Sequence, residues 1–286
     1  YDHLMKLTKY DWNKDHELRS NSVYVNHEKH SNRLALLHGA IVTAIIDNKM
    51  EEHGPIIAEV MVAWAEAGVM LNTWTSAEIS KLKDQGKVDR KCYGNSTGKG
   101  DKPCVSHRPH EAQIYGATYI QQAYLMKDQF TEEQFKIVDK YIETLWEKYV
   151  EPWATKSLII NKHTRSFIQM ADGTISALSY LAWKDKPEEV TKWIKKGIKK
   201  ANRVVYKDGY INNNSFRGVK DVWYHSQGVN NLLGLYAIAE LWGYKKFPKK
   251  LKKKIEKTDD VPNLGITEKE TKTKHKKRTK RADNQK

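Results

Sequence analysis

Side chains able to handle protons and negative charge lie close together in the stretch that runs from Arg217 through Tyr224 to His225. Arg217 precedes Tyr224 by seven residues, about two helical turns, and Gly218 gives the backbone room to turn the guanidinium toward the phenol. A neighbouring guanidinium favours the phenolate, and a phenolate can take a proton from one atom and return it to another. The spacing therefore predicts that Arg217 and Tyr224 meet beside a pocket for an anionic ligand.

Two further clusters of histidine and arginine precede predicted helices. They comprise Asn161, His163 and Arg165 in the first cluster, and His107, Arg108 and His110 in the second. Amide, imidazole and guanidinium groups near the positive end of a helix attract carboxylates and stabilise charge that develops on them. A structural alternative stays open for each residue: helix capping, surface exposure or, for Tyr224, burial with a locally satisfied hydroxyl.

The elements that must position these residues are predicted to be helices, because apolar residues recur at helical spacing along most of the chain. Local signals mark several starts: Pro55 is expected to begin one helix, Thr131 a second and Pro187 a third. A last apolar helix is predicted over 222–242. The polar segment 206–220 before it is predicted to be a loop or a short hairpin.

The fold class follows from this pattern. The chain of 286 residues is long enough to bury a sizeable core, and no alternation of strands with helices is visible, so we expect an all-α protein. About eight helices joined by short loops favour an (α/α) toroid or an incomplete barrel of antiparallel helical hairpins. We expect this domain to cover 1–257, followed by a basic, disordered tail over 258–286.

The charge of the chain is asymmetric. The formal net charge is +15, but residues 245–286 hold 17 Lys+Arg against 6 Asp+Glu, whereas residues 1–244 hold 33 against 29. A polyanionic partner is therefore expected. Nucleic acid is not, because the part before the basic end is nearly neutral and shows no groove-reading motif. No window approaches the length of a membrane span, and no metal site is predicted.

Cys92 and Cys104 flank a polar, glycine-rich insert of 11 residues. An even count that brackets a loop is typical of a disulfide in an oxidising compartment, while two free thiols would fit the same sequence. We predict the disulfide and, with it, a periplasmic or secreted location. The chain begins at Tyr1 rather than at methionine, which we expect to reflect a mature or trimmed form.

In the run 217–225, five residues separate Arg-Gly from Tyr-His. This pattern resembles the signature near the C-terminal part of alginate lyases of polysaccharide lyase family 5. It is also similar to related helical-toroid lyases that act on alginate or glucuronan. The segment 161–167 resembles the family's Asn-His motif ahead of an aromatic residue, with Lys162 intervening. The similarity covers about 155–242.

The resemblance implies a toroid with a tunnel-like cleft and β-elimination at a uronic acid, without a metal or cofactor. Removing H5 of a uronate creates a carbanion beside a carboxylate, so that carboxylate must be neutralised, and Asn161, His163 and Arg217 are the types required. Tyr224 would take H5 and protonate the departing glycosidic oxygen, and His163 could act as the base where H5 lies on the opposite face. The candidates for substrate contacts are His225, Arg165, Lys220, His107, Arg108, His110 and Trp223.

We therefore predict a monomeric lyase that cleaves an acidic polysaccharide, such as polymannuronate or glucuronan, to 4,5-unsaturated uronate ends. Two alternatives stay open. An unsaturated glucuronyl hydrolase on a similar scaffold would need a carboxylic acid, for which Asp172 and Asp221 are the candidates. A non-catalytic polyanion-binding protein would act through the lysine-rich tail. Trp183, like Trp223, would either stack on a sugar ring or belong to the core.

Overall fold

The computed structural model describes residues 6–7, 9–10, 23–71, 75–87, 108–152, 177–212, 215 and 221–260. Within these ranges the regular structure is helical, and β pairing is limited to an isolated antiparallel bridge between Val205 and Ile211. The prediction of an all-α protein is confirmed for this part of the chain. The helices are α1 (Val23–Ile46), α2 (Met50–Glu66), α3 (Ser76–Asp84), α4 (Arg108–Leu125), α5 (Glu132–Leu145), α6 (Pro187–Val204), α7 (Asp221–Leu241) and α8 (Lys249–Asp260). A 3₁₀ turn covers Lys127–Gln129, a π-helix covers Trp146–Val150, and residues 177–183 are also helical.

The chain forms two compact units where the sequence predicts a single helical domain. The first unit comprises Tyr1–Trp153 with Ala182–Asp185, and the second comprises Ala154–Leu181 with Lys186–Lys286. Helices α1–α5 belong to the first unit and α6–α8 to the second. The last helix runs to Asp260 and buries Thr258 completely, so folded structure continues past the predicted start of the tail at 258.

The predicted starts of α5 and α6 are confirmed, because each is encoded by neighbouring residues. Thr131 and Gln134 form a reciprocal capping box, in which the Gln134 N–H donates to Thr131 Oγ1 at 3.3 Å and the Thr131 N–H donates to Gln134 Oε1 at 3.0 Å. Pro187 is the first residue of α6 and is followed by two glutamates in the first turn. Both arrangements satisfy or complement the positive end of a helix.

The start of α2 differs from the prediction. The helix begins at Met50, and Pro55 lies inside it rather than at its start. The missing N–H of Pro55 removes one backbone hydrogen bond. Glu51 and Glu52 lie in the first turn, where negative charge favours the helix N-terminus.

The first unit is built around an aromatic centre between α2, α4 and α5. Trp64, Tyr119 and Tyr141 are buried there, with ring centroids 6.0 Å apart for Trp64–Tyr119 and 4.9 Å apart for Tyr119–Tyr141. Each polar atom at the edge of this group has a partner: the Tyr119 hydroxyl donates to the Met61 carbonyl at 2.7 Å, and Trp64 Nε1 donates to the Tyr141 hydroxyl at 3.0 Å. Satisfied hydroxyls allow these large rings to be buried at little electrostatic cost.

Two tyrosine hydroxyls hold the turn that follows α2. Tyr141 donates to the Val69 carbonyl at 2.6 Å, and Tyr149 donates to the Leu71 carbonyl at 2.9 Å. Between these carbonyls, Met70 is fully buried with a φ of 69°, a left-handed conformation that costs a non-glycine residue about 1 kcal/mol or more. The two hydrogen bonds and the buried side chain together maintain this turn.

The second unit has its own core, to which α6, α7 and α8 all contribute. Its buried members include Ile194 and Val204 of α6, Leu232 of α7, and Leu251 and Ile255 of α8. Helix α7 packs against both α6 and α8. It is therefore the central helix of these three, and its orientation decides which of its residues face outward.

Replacing Tyr141 by phenylalanine is expected to lower the free energy of unfolding of the first unit by about 2 kcal/mol, because the Trp64 N–H and the Val69 carbonyl each lose a buried partner. Urea denaturation followed by circular dichroism measures this loss. The matched control is Tyr124→Phe, since the Tyr124 side chain is 38% exposed and its loss of a hydroxyl should cost less than about 0.5 kcal/mol. Equal stability of the two variants would contradict the role given to the Tyr141 hydroxyl.

Alkaline pH is expected to destabilise the first unit through its buried tyrosines. Burial, and then the neighbouring Tyr141, raise the pKa of Tyr119 above its ordinary value of 10.0, and burial raises the pKa of Tyr141 as well. The unfolded chain therefore loses these protons first, so their contribution to stability is complete below about pH 10 and declines above it. Unfolding free energies measured across this range should fall less steeply for Tyr119→Phe/Tyr141→Phe than for the unaltered protein.

Candidate functional site

The described residues include the side chains of Trp223, Tyr224 and His225, which are consecutive in α7. Most of the other predicted site residues lie outside the described residues: Asn161, His163, Arg165, Arg217, Lys220, His107, and the cysteines Cys92 and Cys104. Arg108 and His110 belong to the first turn of α4, but their side chains are not among those described. The meeting of Arg217 with Tyr224 therefore stays a prediction.

Trp223 and Tyr224 form an aromatic pair on the surface of α7. The Trp223 side chain is 56% exposed and Tyr224 is half-buried, with the two ring centroids 4.6 Å apart in an edge-to-face arrangement at 68°. The neighbouring Val222 is 53% exposed, so the first turn of α7 presents an apolar patch to solvent. Such a patch is accessible to a ligand that has an apolar face.

His225 points in the opposite direction and is 1% exposed. Its Nδ1 lies 2.6 Å from the Ser215 Oγ, and its Nε2 lies 2.8 Å from the carbonyl oxygen of Thr258. A carbonyl only accepts, so Nε2 carries the proton, and the neutral ring then accepts from the Ser215 hydroxyl at Nδ1. The Ser215 oxygen in turn accepts from the Ile211 N–H at 2.8 Å.

The expectation that His225 contacts substrate is therefore not supported by its position: the ring is buried, and both its nitrogens face groups of the protein. The reason is the helical period, because His225, Val229 and Leu232 share the inner face of α7. This i, i+4, i+7 spacing was visible in the sequence. The sequence does not indicate the partners of His225, because no local pattern connects it to Ser215, and Thr258 is the first residue of the predicted tail.

Trp183, the other predicted stacking residue, belongs to the core of the first unit. Its side chain is 1% exposed, stacks on Phe135 with centroids 4.8 Å apart, and donates from Nε1 to Asp139 Oδ1 at 2.8 Å. Lys184 Nζ lies 2.7 Å from the same carboxylate oxygen. Of the two alternatives for Trp183, stacking on a sugar ring or burial in the core, the structure shows burial in the core.

The described residues contain no group of three or more His, Cys, Asp or Glu side chains that could hold a metal ion. Nor does any helix in this part of the chain combine the length and apolar character needed to cross a membrane. Comparison of the sequence and the structure with known proteins returns no matching family model, no matching curated protein and no matching solved structure.

Replacing Ser215 by alanine is expected to destabilise the second unit by about 2 kcal/mol, because the Ile211 N–H and the His225 ring lose their buried hydroxyl partner. Urea denaturation gives the magnitude, and faster hydrogen exchange across α8 would locate the change. The control is Ser226→Ala: the Ser226 side chain is exposed and donates within α7 to the Val222 carbonyl, so the effect should stay within about 0.5 kcal/mol. Undiminished stability of Ser215→Ala would contradict the structural role of this network.

Proposed function

We propose that the protein is a polysaccharide lyase that cleaves a polyuronate, such as polymannuronate or glucuronan, by β-elimination. The observation that supports this most directly is the accessible pair of Trp223 and Tyr224 at the start of α7. Tyr224 is the residue that the sequence resemblance assigns as acid and base. It is half-buried, and it adjoins an exposed tryptophan on which a sugar ring could stack.

The proposed reaction begins with the phenolate of Tyr224, which takes H5 from the uronate. The electron pair of the broken C5–H bond passes into the carboxylate as an enolate. It then forms the C4–C5 double bond as the C4–O bond breaks. The departing oxygen receives the proton from the Tyr224 phenol, so the phenolate is restored and no group is consumed. Proton transfer of this kind contributes about 10²- to 10⁴-fold to a rate.

Charge neutralisation is assigned to Arg217, Asn161 and His163, which supply the donors that an enolate next to a carboxylate requires. His163 also serves as the base for sugars whose H5 lies on the opposite face. Contacts with flanking sugars are assigned to Trp223, Arg165, Lys220, His107, Arg108 and His110, without His225. We further propose that the helices complete a toroid or an incomplete barrel, and that the protein works as a monomer in the periplasm or outside the cell.

The lyase proposal predicts that polymannuronate, polyguluronate or glucuronan incubated with the protein gains the ultraviolet absorbance of the 4,5-unsaturated uronate. Tyr224→Phe should lower this rate by about 10³-fold, since it removes the group that moves the proton. Binding of oligouronates should be nearly unchanged because the ring is retained. Initial rates and equilibrium binding, measured separately, test the two halves of this prediction.

The matched control is Tyr244→Phe, a half-buried tyrosine next to the core of the second unit, which should keep full activity. A folded protein that acts on none of the three polymers would falsify the lyase proposal. An active Tyr224→Phe variant would contradict the assignment of acid and base alone. A glucuronyl hydrolase would instead consume unsaturated oligouronates and lower the absorbance, and Asp221→Asn and Asp172→Asn would then identify its acid.

A further inference from the structure

Helix α6 carries a straight row of cations on its solvent face. Lys192, Lys196, Lys199 and Arg203 follow one another at spacings of four, three and four residues and are all exposed, so they lie along one side of the helix over about 16 Å. This basic row lies opposite the buried face formed by residues such as Ile194, Ala201 and others of the core. The basic row therefore presents positive charge along a line on the surface of α6.

All four side chains of the basic row are positively charged, and like charges at this spacing do not favour a helix. The acidic residues of α6 are Glu188 and Glu189 in its first turn, and none follows between Val190 and Val204. Like charges three or four residues apart destabilise a helix, whereas alternating charges stabilise it. Only Arg203, in the last turn, is favoured by the helix dipole.

Lys192 follows Glu188 by four residues, and Lys196 Nζ lies 4.7 Å from the centroid of the Trp193 ring, so these two positions have favourable neighbours on the helix. Lys199 has no acidic residue within four positions on either side, so helix stability does not account for its charge.

Helix α8 brings a second set of cations to the same unit. Lys249, Lys253 and Lys257 are exposed at four-residue spacing. Lys254 Nζ donates to the Asn202 carbonyl at 3.0 Å, which joins α8 to the last turn of α6.

The cations at this junction repel one another. Partial burial and then the nearby Lys207 lower the pKa of Lys254, and partial burial and then Arg203 lower the pKa of Lys200. The pKa values of Lys200 and Lys254 are thus each lowered by a positive neighbour in addition to partial burial.

The apolar faces of both helices are already used. Leu251 and Ile255 of α8 are buried in the same core as Ile194 and Ala201 of α6. A basic amphipathic helix binds a bilayer by inserting its apolar face, and neither helix has that face available. What remains exposed is a charged surface, which suits a long hydrophilic polyanion.

From the basic row and its junction with α8, we infer that α6 binds a polyuronate chain at a position separate from the bond being cleaved. This inference rests on the proposed function for the identity of the polymer. Helix α7, which carries Tyr224, packs against both α6 and α8, so the basic row and the proposed reaction site belong to one compact unit. A polymer held at two places gains affinity through effective concentration, and an oligosaccharide too short to reach both does not.

The test replaces Lys192, Lys196, Lys199 and Arg203 by glutamine in the full chain and measures its affinity for long polymannuronate. We expect about tenfold weaker binding, because four exposed ion pairs of modest strength are lost. Added NaCl should weaken the unaltered protein more than the variant. In turnover, KM for the long polymer should rise while kcat and the KM for a short oligouronate stay unchanged.

The matched control removes the same charge from the first unit, as Lys49→Gln/Lys81→Gln/Lys140→Gln/Lys148→Gln. These four lysines are exposed and do not belong to the unit that carries the basic row, and binding should stay within about twofold because only the net charge changes. The melting temperature of the basic-row variant should be unchanged or higher, since repulsion along α6 is relieved.

Undiminished binding by the basic-row variant, or an equal loss in the control, would overturn the inference. Tighter binding of duplex DNA or of anionic vesicles than of polymannuronate through the same four residues would overturn it as well. The outcome is separable from that of the proposed function, because binding needs no turnover. A protein that binds polymannuronate through the basic row but cleaves no polyuronate would contradict the lyase proposal alone.

Discussion

The imidazole of His225 connects parts of the second unit that are distant in sequence. It accepts from Ser215, in the segment before α7, and donates to the Thr258 carbonyl in the last turn of α8. Gly209 approaches the same end of α8: its φ is +86°, and a Cβ there would collide with the Lys257 carbonyl. Because α7 is fixed to these neighbours through its inner face, the outward position of Trp223 and Tyr224 depends on this histidine.

Each unit contains a buried polar side chain that both accepts and donates a hydrogen bond. In the first, the Tyr141 hydroxyl accepts from Trp64 and donates to the Val69 carbonyl. In the second, the His225 ring accepts at one nitrogen and donates at the other. A buried group that does both can join a donor to a carbonyl acceptor, whereas an apolar side chain of the same size would leave each of them unpaired. The geometry of each site is therefore more restricted than hydrophobic packing alone would make it.

The parts of the fold that could be predicted are those encoded by neighbouring residues. The capping box at Thr131 and the proline start of α6 need only a few adjacent side chains, and both are present as expected. The left-handed backbone conformation of Met70 depends instead on tyrosines of a distant segment, so the residues next to Met70 do not predict it. The same holds for the division into two units, since helical periodicity identifies an inner face but not the helix that will cover it.

The candidate site shows the same limit within three consecutive residues. Successive positions on a helix are turned by about 100° from one another, so Trp223, Tyr224 and His225 cannot all face one ligand. The apolar residues that follow His225 at helical spacing place it on the inner face of α7. Trp223 is two positions earlier and therefore lies on the exposed face. Tyr224 lies between them, partly accessible and on a helix held by buried hydrogen bonds. A phenol on a rigid element keeps its orientation better than one on a loop, which is what the proposed transfer of a proton between two atoms of a sugar would demand.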